Sequence, residues 1–194
     1  LVSWAHRRHS VTILSNDKDL LALVDDEMEI SAIRPDVPPP NSNGNDRIPW
    51  TAESVISVLG IPPCKVRELL ALAGDKSDGF KPYPGWTEAE AGPDGKPKKH
   101  PGIGSAAGLK ILKAFGSVAG LWAAMANPGD VIAGVGKHNY EVLLRHGPDA
   151  GFRGLELATL RTDLALDFDR LLPAPVVQKI SKAQPTGAEE AWDG

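Results

Sequence analysis

The apolar residues change their spacing part-way along the chain, and that change limits the fold more than any other feature of the sequence. In the first part, short β-branched runs stand between helical stretches. Val11-Thr-Ile-Leu14 reads as a buried strand, and Met28–Ile33 alternates like a second strand before stopping at Arg34-Pro35. Ser15-Asn-Asp-Lys-Asp19 followed by Leu20–Val24 is a strand-to-helix junction rich in N-cap residues. Leu1–His9 has helical spacing, and Thr51–Leu59 and Lys65–Ala73 are amphipathic helices joined by Gly60-Ile-Pro-Pro63. The Pro-rich stretch Asp36–Asp46 reads as a loop, and 79–100 reads as a long exposed loop without periodicity. From Ser105 onward the pattern is helical: Ser105–Phe115, Ser117–Ala126, Lys137–His146 and Gly154–Thr162, with a shorter helix near Val176–Lys182. The chain therefore divides into an α/β part over 1–78, an inserted loop over 79–100, a helical part over 101–183 and a flexible tail over 184–194. The predicted fold class runs from α/β to mostly α.

Composition narrows the function. Lys and Arg number 21 against 25 Asp and Glu, a net charge of −4, which excludes a binder held by bulk positive charge. Cys64 is the only cysteine, so an intrachain disulfide and a Cys-based zinc cluster are both excluded, and a reducing compartment fits best. The longest apolar run, Val118–Ala126, is far short of the roughly 18 residues that span a membrane. Arg7 and Arg8 behind an apolar start are the reverse of a signal peptide. A cytoplasmic protein is expected.

Three local patterns carry chemistry. Asp17-Lys-Asp19 puts two carboxylates at the carboxyl end of a strand, the edge where ligands bind in open α/β sheets. Hard oxygen donors there suit Mg²⁺ or Mn²⁺, although the same residues would also serve as helix caps. Gly74-Asp-Lys-Ser-Asp78 is a second acidic pair after an apolar helix, equally readable as a C-terminal Gly and a polar turn. Pro101-Gly-Ile-Gly104 opens a helix, a geometry that lets backbone amides approach a phosphate, with Lys110 and Lys113 further along.

Taken in order, these patterns resemble the 5′→3′ exonuclease and flap endonuclease family, the 5′-nuclease domain of bacterial DNA polymerase I and its phage relatives. The resemblance runs from Leu1 to about Asp169 and includes Leu160-Arg-Thr-Asp-Leu164. It implies the remnant of a PIN-like, Rossmann-like parallel sheet followed by a helix–three-turn–helix. It implies that Asp17, Asp19, Asp75 and Asp78 are the catalytic aspartates, holding one divalent ion of a two-metal site. It further implies that Gly102, Ile103, Gly104 and Ser105 grip a duplex backbone, with a K⁺ on the hairpin carbonyls and Lys110 and Lys113 at phosphates. The implied substrate is DNA with 5′ ends or flaps, in a bacterial or phage-infected cell.

The sequence departs from the family in three places. Gly79 stands where the family has Asn, and 79–100, with Tyr83, Trp86 and three lysines, separates the second acidic pair from the glycine turn. The Asp36–Asp46 loop is long for the family. The family's upstream half, with the ligands of the other metal, is absent, so the chain resembles the C-terminal part of a 5′-nuclease. The isolated chain is accordingly expected to bind DNA but cleave it negligibly, with the upstream half supplied on another chain, removed or never made. Two rivals stand beside this reading: a non-catalytic DNA-binding module of the same descent, and a PIN-like ribonuclease.

Overall fold

The computed structural model describes residues 10–43, 45, 47–91 and 97–161, apart from the side chains of Asn41, Ala89–Ala91 and Pro97. The helices expected at Leu1–His9 and near Val176–Lys182, most of Leu160–Leu164, and the 184–194 tail lie outside those residues.

Strands β1 (Val11–Leu14) and β2 (Ile30–Ile33) pair in parallel, Val11 opposite Ile30 and Leu14 opposite Ile33. The crossover between them is tight. Where a helix was expected from Leu20, the chain makes a 3-10 turn over Lys18–Leu23, because Val24 is already extended and the carboxylate of Asp25 accepts from the Glu27 and Met28 amides. Asp25 then exchanges two backbone hydrogen bonds with Ile30, returning the chain to the sheet. On the other edge of β2, Ala32 pairs with Trp50, whose indole N–H donates to the Val37 carbonyl and holds the Pro-rich loop down.

Helix α1 (Ala52–Leu59) begins at a capping box between Thr51 and Ser54 and stops at Gly60, and α2 (Val66–Ala73) follows. Helix α2 is the central element. Val66 and Leu70 pack with Leu21, Val24, Ala32, Trp50 and Val55 against the sheet. Leu69 and Leu72 face a second cluster built from α3 (Ser105–Phe115), α4 (Val118–Ala124), α5 (Pro128–Val135) and α6 (Lys137–Ala158). Sequence spacing predicts neither α5 nor the continuity of α6. Pro128 looks like a break but stands in the first turn of α5, where proline is at home. The two expected helices over 137–162 merge across a kink at Gly147, which precedes Pro148.

The loop expected over 79–100 instead contains two antiparallel strands, β3 (Trp86–Ala91) against β4 (Pro97–His100). Its root is packed, not solvated. Tyr83 is fully buried, its hydroxyl beside the Trp122 indole N–H at 3.3 Å. The Trp86 ring lies flat on His100 with centroids 4.4 Å apart, and the Arg145 guanidinium sits 4.7 Å from the Trp86 ring centre. Trp122 comes from α4, Arg145 from α6 and His100 from the facing strand, so no local periodicity announces them.

Buried Glu68 on α2 accepts from the Val118 amide at 2.9 Å, capping α4 across the core. Glu68→Ala leaves that amide unmet and should lower stability by about 1–3 kcal/mol. The exposed Glu53→Ala should stay within about 0.5 kcal/mol. Chemical denaturation of the two variants checks the contrast.

Candidate metal centre and nucleic-acid interface

The first acidic turn begins just past β1. The Ser15 hydroxyl accepts from the Asp17 amide, and Asp17 Oδ1 accepts from the Asp19 amide at 3.0 Å, so Asp17 is the N-cap of the 3-10 turn. The capping role thus falls on Asp17, and the Asp19 carboxylate takes no part in it. Arg34, just after β2, donates through Nε and Nη2 to the Asn16 carbonyl, and Asn16 in turn bonds Asp36 in both directions. Sequence reasoning missed Arg34 and Asp36 because they act only by holding a distant turn.

The second acidic turn closes by two backbone hydrogen bonds between Asp75 and Phe80. Gly74 precedes it with φ +76°, and a Cβ there would lie 2.3 Å from the Phe80 carbonyl oxygen, so only glycine fits. Asp75 is 4% exposed. Its Oδ1 accepts from the Ser77 amide and hydroxyl, while its Oδ2 meets Lys18 Nζ at 2.7 Å.

Folding brings three of the four predicted aspartates together. Asp19, Asp75 and Asp78 each offer one oxygen, all within 4.8 Å of one another. They line a cavity of about 230 Å³ with Leu70, Phe80 and Leu157. Asp17 stands outside that trio, its carboxylate turned to its own cap.

Electrostatics distinguish the three. Burial, then the charges of Asp17, Asp75 and Asp78, push the Asp19 carboxyl up to about 6, against a smaller opposing effect of Lys18. Burial also raises Asp75, but hydrogen bonds from Lys18 and Ser77 together with the Lys18 charge outweigh it and hold the group at about 2. Asp19 Oδ1 is buried without a hydrogen-bond partner. An oxygen so placed, among carboxylates that repel one another, is short of a cation, and an all-oxygen donor set suits a hard divalent ion. The residues fit Mg²⁺ or Mn²⁺.

The glycine turn is held by the stretch of chain that follows the second acidic turn. The Ile103 amide donates to the Tyr83 carbonyl at 3.0 Å, and the Ile103 side chain is fully buried. A Cβ on Gly102 would lie 2.2 Å from the Tyr83 carbonyl oxygen and 2.6 Å from the Gly85 nitrogen. The glycine is therefore required by the protein's own backbone. Gly104, by contrast, faces open space and is the N-cap of α3, with no side chain bonded to the first-turn amides. Ser105, Lys110 and Lys113 are exposed. Lys113 Nζ also lies beside Gly60 at the carboxyl end of α1, a favourable place for a cation.

The sequence that builds these turns is similar to that of known proteins. The 5′-3′ exonuclease of Aquifex aeolicus is 30% identical over 166 residues, covering 86% of this chain and 43% of that protein. DNA polymerase I of Lactococcus lactis strain IL1403 is 28% identical over 175 residues, 89% of this chain and 16% of the polymerase. DNA polymerase I of Synechocystis is 39% identical over 71 residues, 36% of this chain. Relatives named 5′-3′ exonuclease and DNA polymerase I thus cover most of the chain at 28–30% identity, a likeness to the 5′-3′ exonuclease family. The chain spans less than half the length of the Aquifex exonuclease and a smaller share of the polymerases. No protein-family model matches it. The mixed α/β class is as expected, and no helix among the described residues is long and apolar enough to cross a membrane.

Proposed function

We propose that this chain contributes part of the active site and the duplex-holding surface of a metal-dependent 5′→3′ nuclease acting on DNA near 5′ ends or flaps. One observation supports the reading above all others. Carboxylates from two turns far apart in sequence meet within 4.8 Å, and one of their oxygens is buried without a partner. Asp19, Asp75 and Asp78 would hold the ion, with Asp17 fixing the turn that presents Asp19. A divalent ion, when bound, stabilises charge on phosphoryl oxygens and makes water a better nucleophile. The chain's own part is positional. Ser77 fixes the Asp75 carboxylate, Arg34 and Asp36 fix the first turn, and the exposed Asp78 closes the site from the solvent side. None of these groups has to carry a proton.

The α3 N-terminus would hold a DNA phosphate, since its uncapped first-turn amides and the dipole both favour an anion. The segment Asp75–Tyr83 ties the two halves of the site together, because it carries the acidic turn at one end and the carbonyl that pins Ile103 at the other. Phosphate contacts of this kind read backbone shape with little base preference.

Fluorescence anisotropy on a 5′-flapped duplex across a salt series tests the grip. Lys110→Ala with Lys113→Ala should weaken binding and flatten the slope of log K against log[salt] by about one to two. An unchanged slope places the grip elsewhere. Cleavage of a 5′-labelled flap by the native protein in Mg²⁺, lost in Asp75→Asn, tests the chemistry. Binding without any metal-dependent cleavage, even when the upstream half is supplied, would make the chain a non-catalytic DNA-binding module instead.

A further inference from the structure

We propose that Lys18 is the resident cation of the metal-free carboxylate site, and that a divalent ion enters by displacing its ammonium from Asp75. This rests on the metal reading above. Asp75 Oδ1 is taken up by Ser77, so Oδ2 is the oxygen left for an ion, and Lys18 Nζ lies 2.7 Å from it. The two partners differ sharply in exposure: the Asp75 side chain is 5% exposed and the Lys18 side chain 43%. The lysine can therefore swing into solvent at little cost, while the aspartate cannot follow it. The ammonium is also an incomplete occupant. It satisfies Asp75 but leaves Asp19 Oδ1 buried and unpartnered, whereas a divalent ion can meet one oxygen from each of Asp19, Asp75 and Asp78. Placement follows from the fold: Lys18 opens the 3-10 turn capped by Asp17 and precedes Asp19 on it, so the same turn delivers both a ligand and its competitor. Lys18 thus keeps the empty site from self-repulsion and sets the concentration at which a divalent ion enters.

The test compares wild type, Lys18→Met, Asp75→Asn and a control, Lys76→Met, which removes an exposed lysine from the second acidic turn. Mn²⁺ affinity is read by calorimetry at 0.15 M salt, and melting temperature is read in chelator and in saturating Mn²⁺. Lys18→Met should bind Mn²⁺ about fivefold more tightly, and Lys76→Met should change affinity by less than about twofold. Lys18→Met should melt lower than wild type in chelator and equal to it in saturating Mn²⁺, because the ion pair exists only without metal. Equal loss of melting temperature in both conditions, or unchanged or weaker Mn²⁺ affinity, overturns the displacement. If Mn²⁺ binding is lost in Asp75→Asn but indifferent to Lys18→Met, the metal site stands and the role of Lys18 falls. If wild type shows no saturable Mn²⁺ binding, both fall.

Discussion

Asp19→Asn is expected to make the metal-free protein more stable above pH 6 and to abolish most of its response to divalent ions. The Asp19 carboxyl titrates at about 6 in the fold, against 3.8 for the ordinary group. The folded state thus binds the proton more tightly than the unfolded one. Protonation supports the fold at low pH, and that support is lost as pH rises from about 3.8 through about 6. Asparagine, a neutral mimic of the protonated acid, removes the loss. In chelator at pH 7.5 the variant should melt higher by a few degrees, given that about 1 kcal/mol moves Tm by about 2–4 °C at this size. At pH 3.5 the two proteins should melt together. In Mg²⁺ or Mn²⁺ the order reverses, since only wild type gains from the ion. The native protein's cleavage of a flapped duplex should fall by about a hundredfold or more in the variant, the scale of losing several kcal/mol of charge stabilisation. A variant no more stable than wild type at pH 7.5 would mean that the Asp19 carboxyl is not strained by its neighbours.

The largest stability loss from a small substitution is expected at Gly102. A methyl group there meets backbone on every side: the Tyr83 carbonyl oxygen at 2.2 Å, the Gly85 nitrogen at 2.6 Å and the Pro84 carbonyl carbon at 2.7 Å. None of these can rotate aside as a side-chain end would. Gly102→Ala should cost about 3 kcal/mol or more, at the upper end of overpacking, and lower Tm by about 6–12 °C. It should also weaken DNA binding, because Ile103 and the start of α3 move with it. Gly104→Ala, two residues on, faces open space at φ −108° and should change stability by less than about 1 kcal/mol. Thermal melts of the pair decide the matter. Equal effects would show that the close approach at Gly102 is not what fixes glycine there.

What the sequence disclosed follows from the range of the interactions involved. The strands around Val11–Leu14 and Ile30–Ile33 and the helices α1, α2 and α3 stand near their expected bounds because β-branched runs, a capping box and terminal glycines are local signals. The acidic turns were legible for the same reason. Spacing alone left open whether they meet. That meeting depends on α2 lying between the sheet and the helices, a matter of core packing. It was also silent on which member of Asp17-Lys-Asp19 faces inward: Asp17 serves its own turn, Asp19 enters the site, and Lys18 bonds an aspartate from the other turn. The strand pair escaped the sequence because Trp86 and His100 stack on each other across it while Tyr83 and Trp86 meet Trp122 on α4 and Arg145 on α6, and contacts made across strands and to other elements leave no local period.

The backbone pinch at Gly85 and Gly102 has a topological consequence. The chain leaves the body of the molecule for β3 and β4 and comes back at a single point, where two backbones touch without a side chain between them. Strands β3 and β4 run out from and back to that neck. Once such a neck is closed, the entropic cost of a longer excursion grows only with the logarithm of its length. The excursion beyond the neck can therefore change length while α2, the acidic turn and α3 keep their places. This is a position where the protein can change size without changing its core, and a suitable site for inserting a reporter.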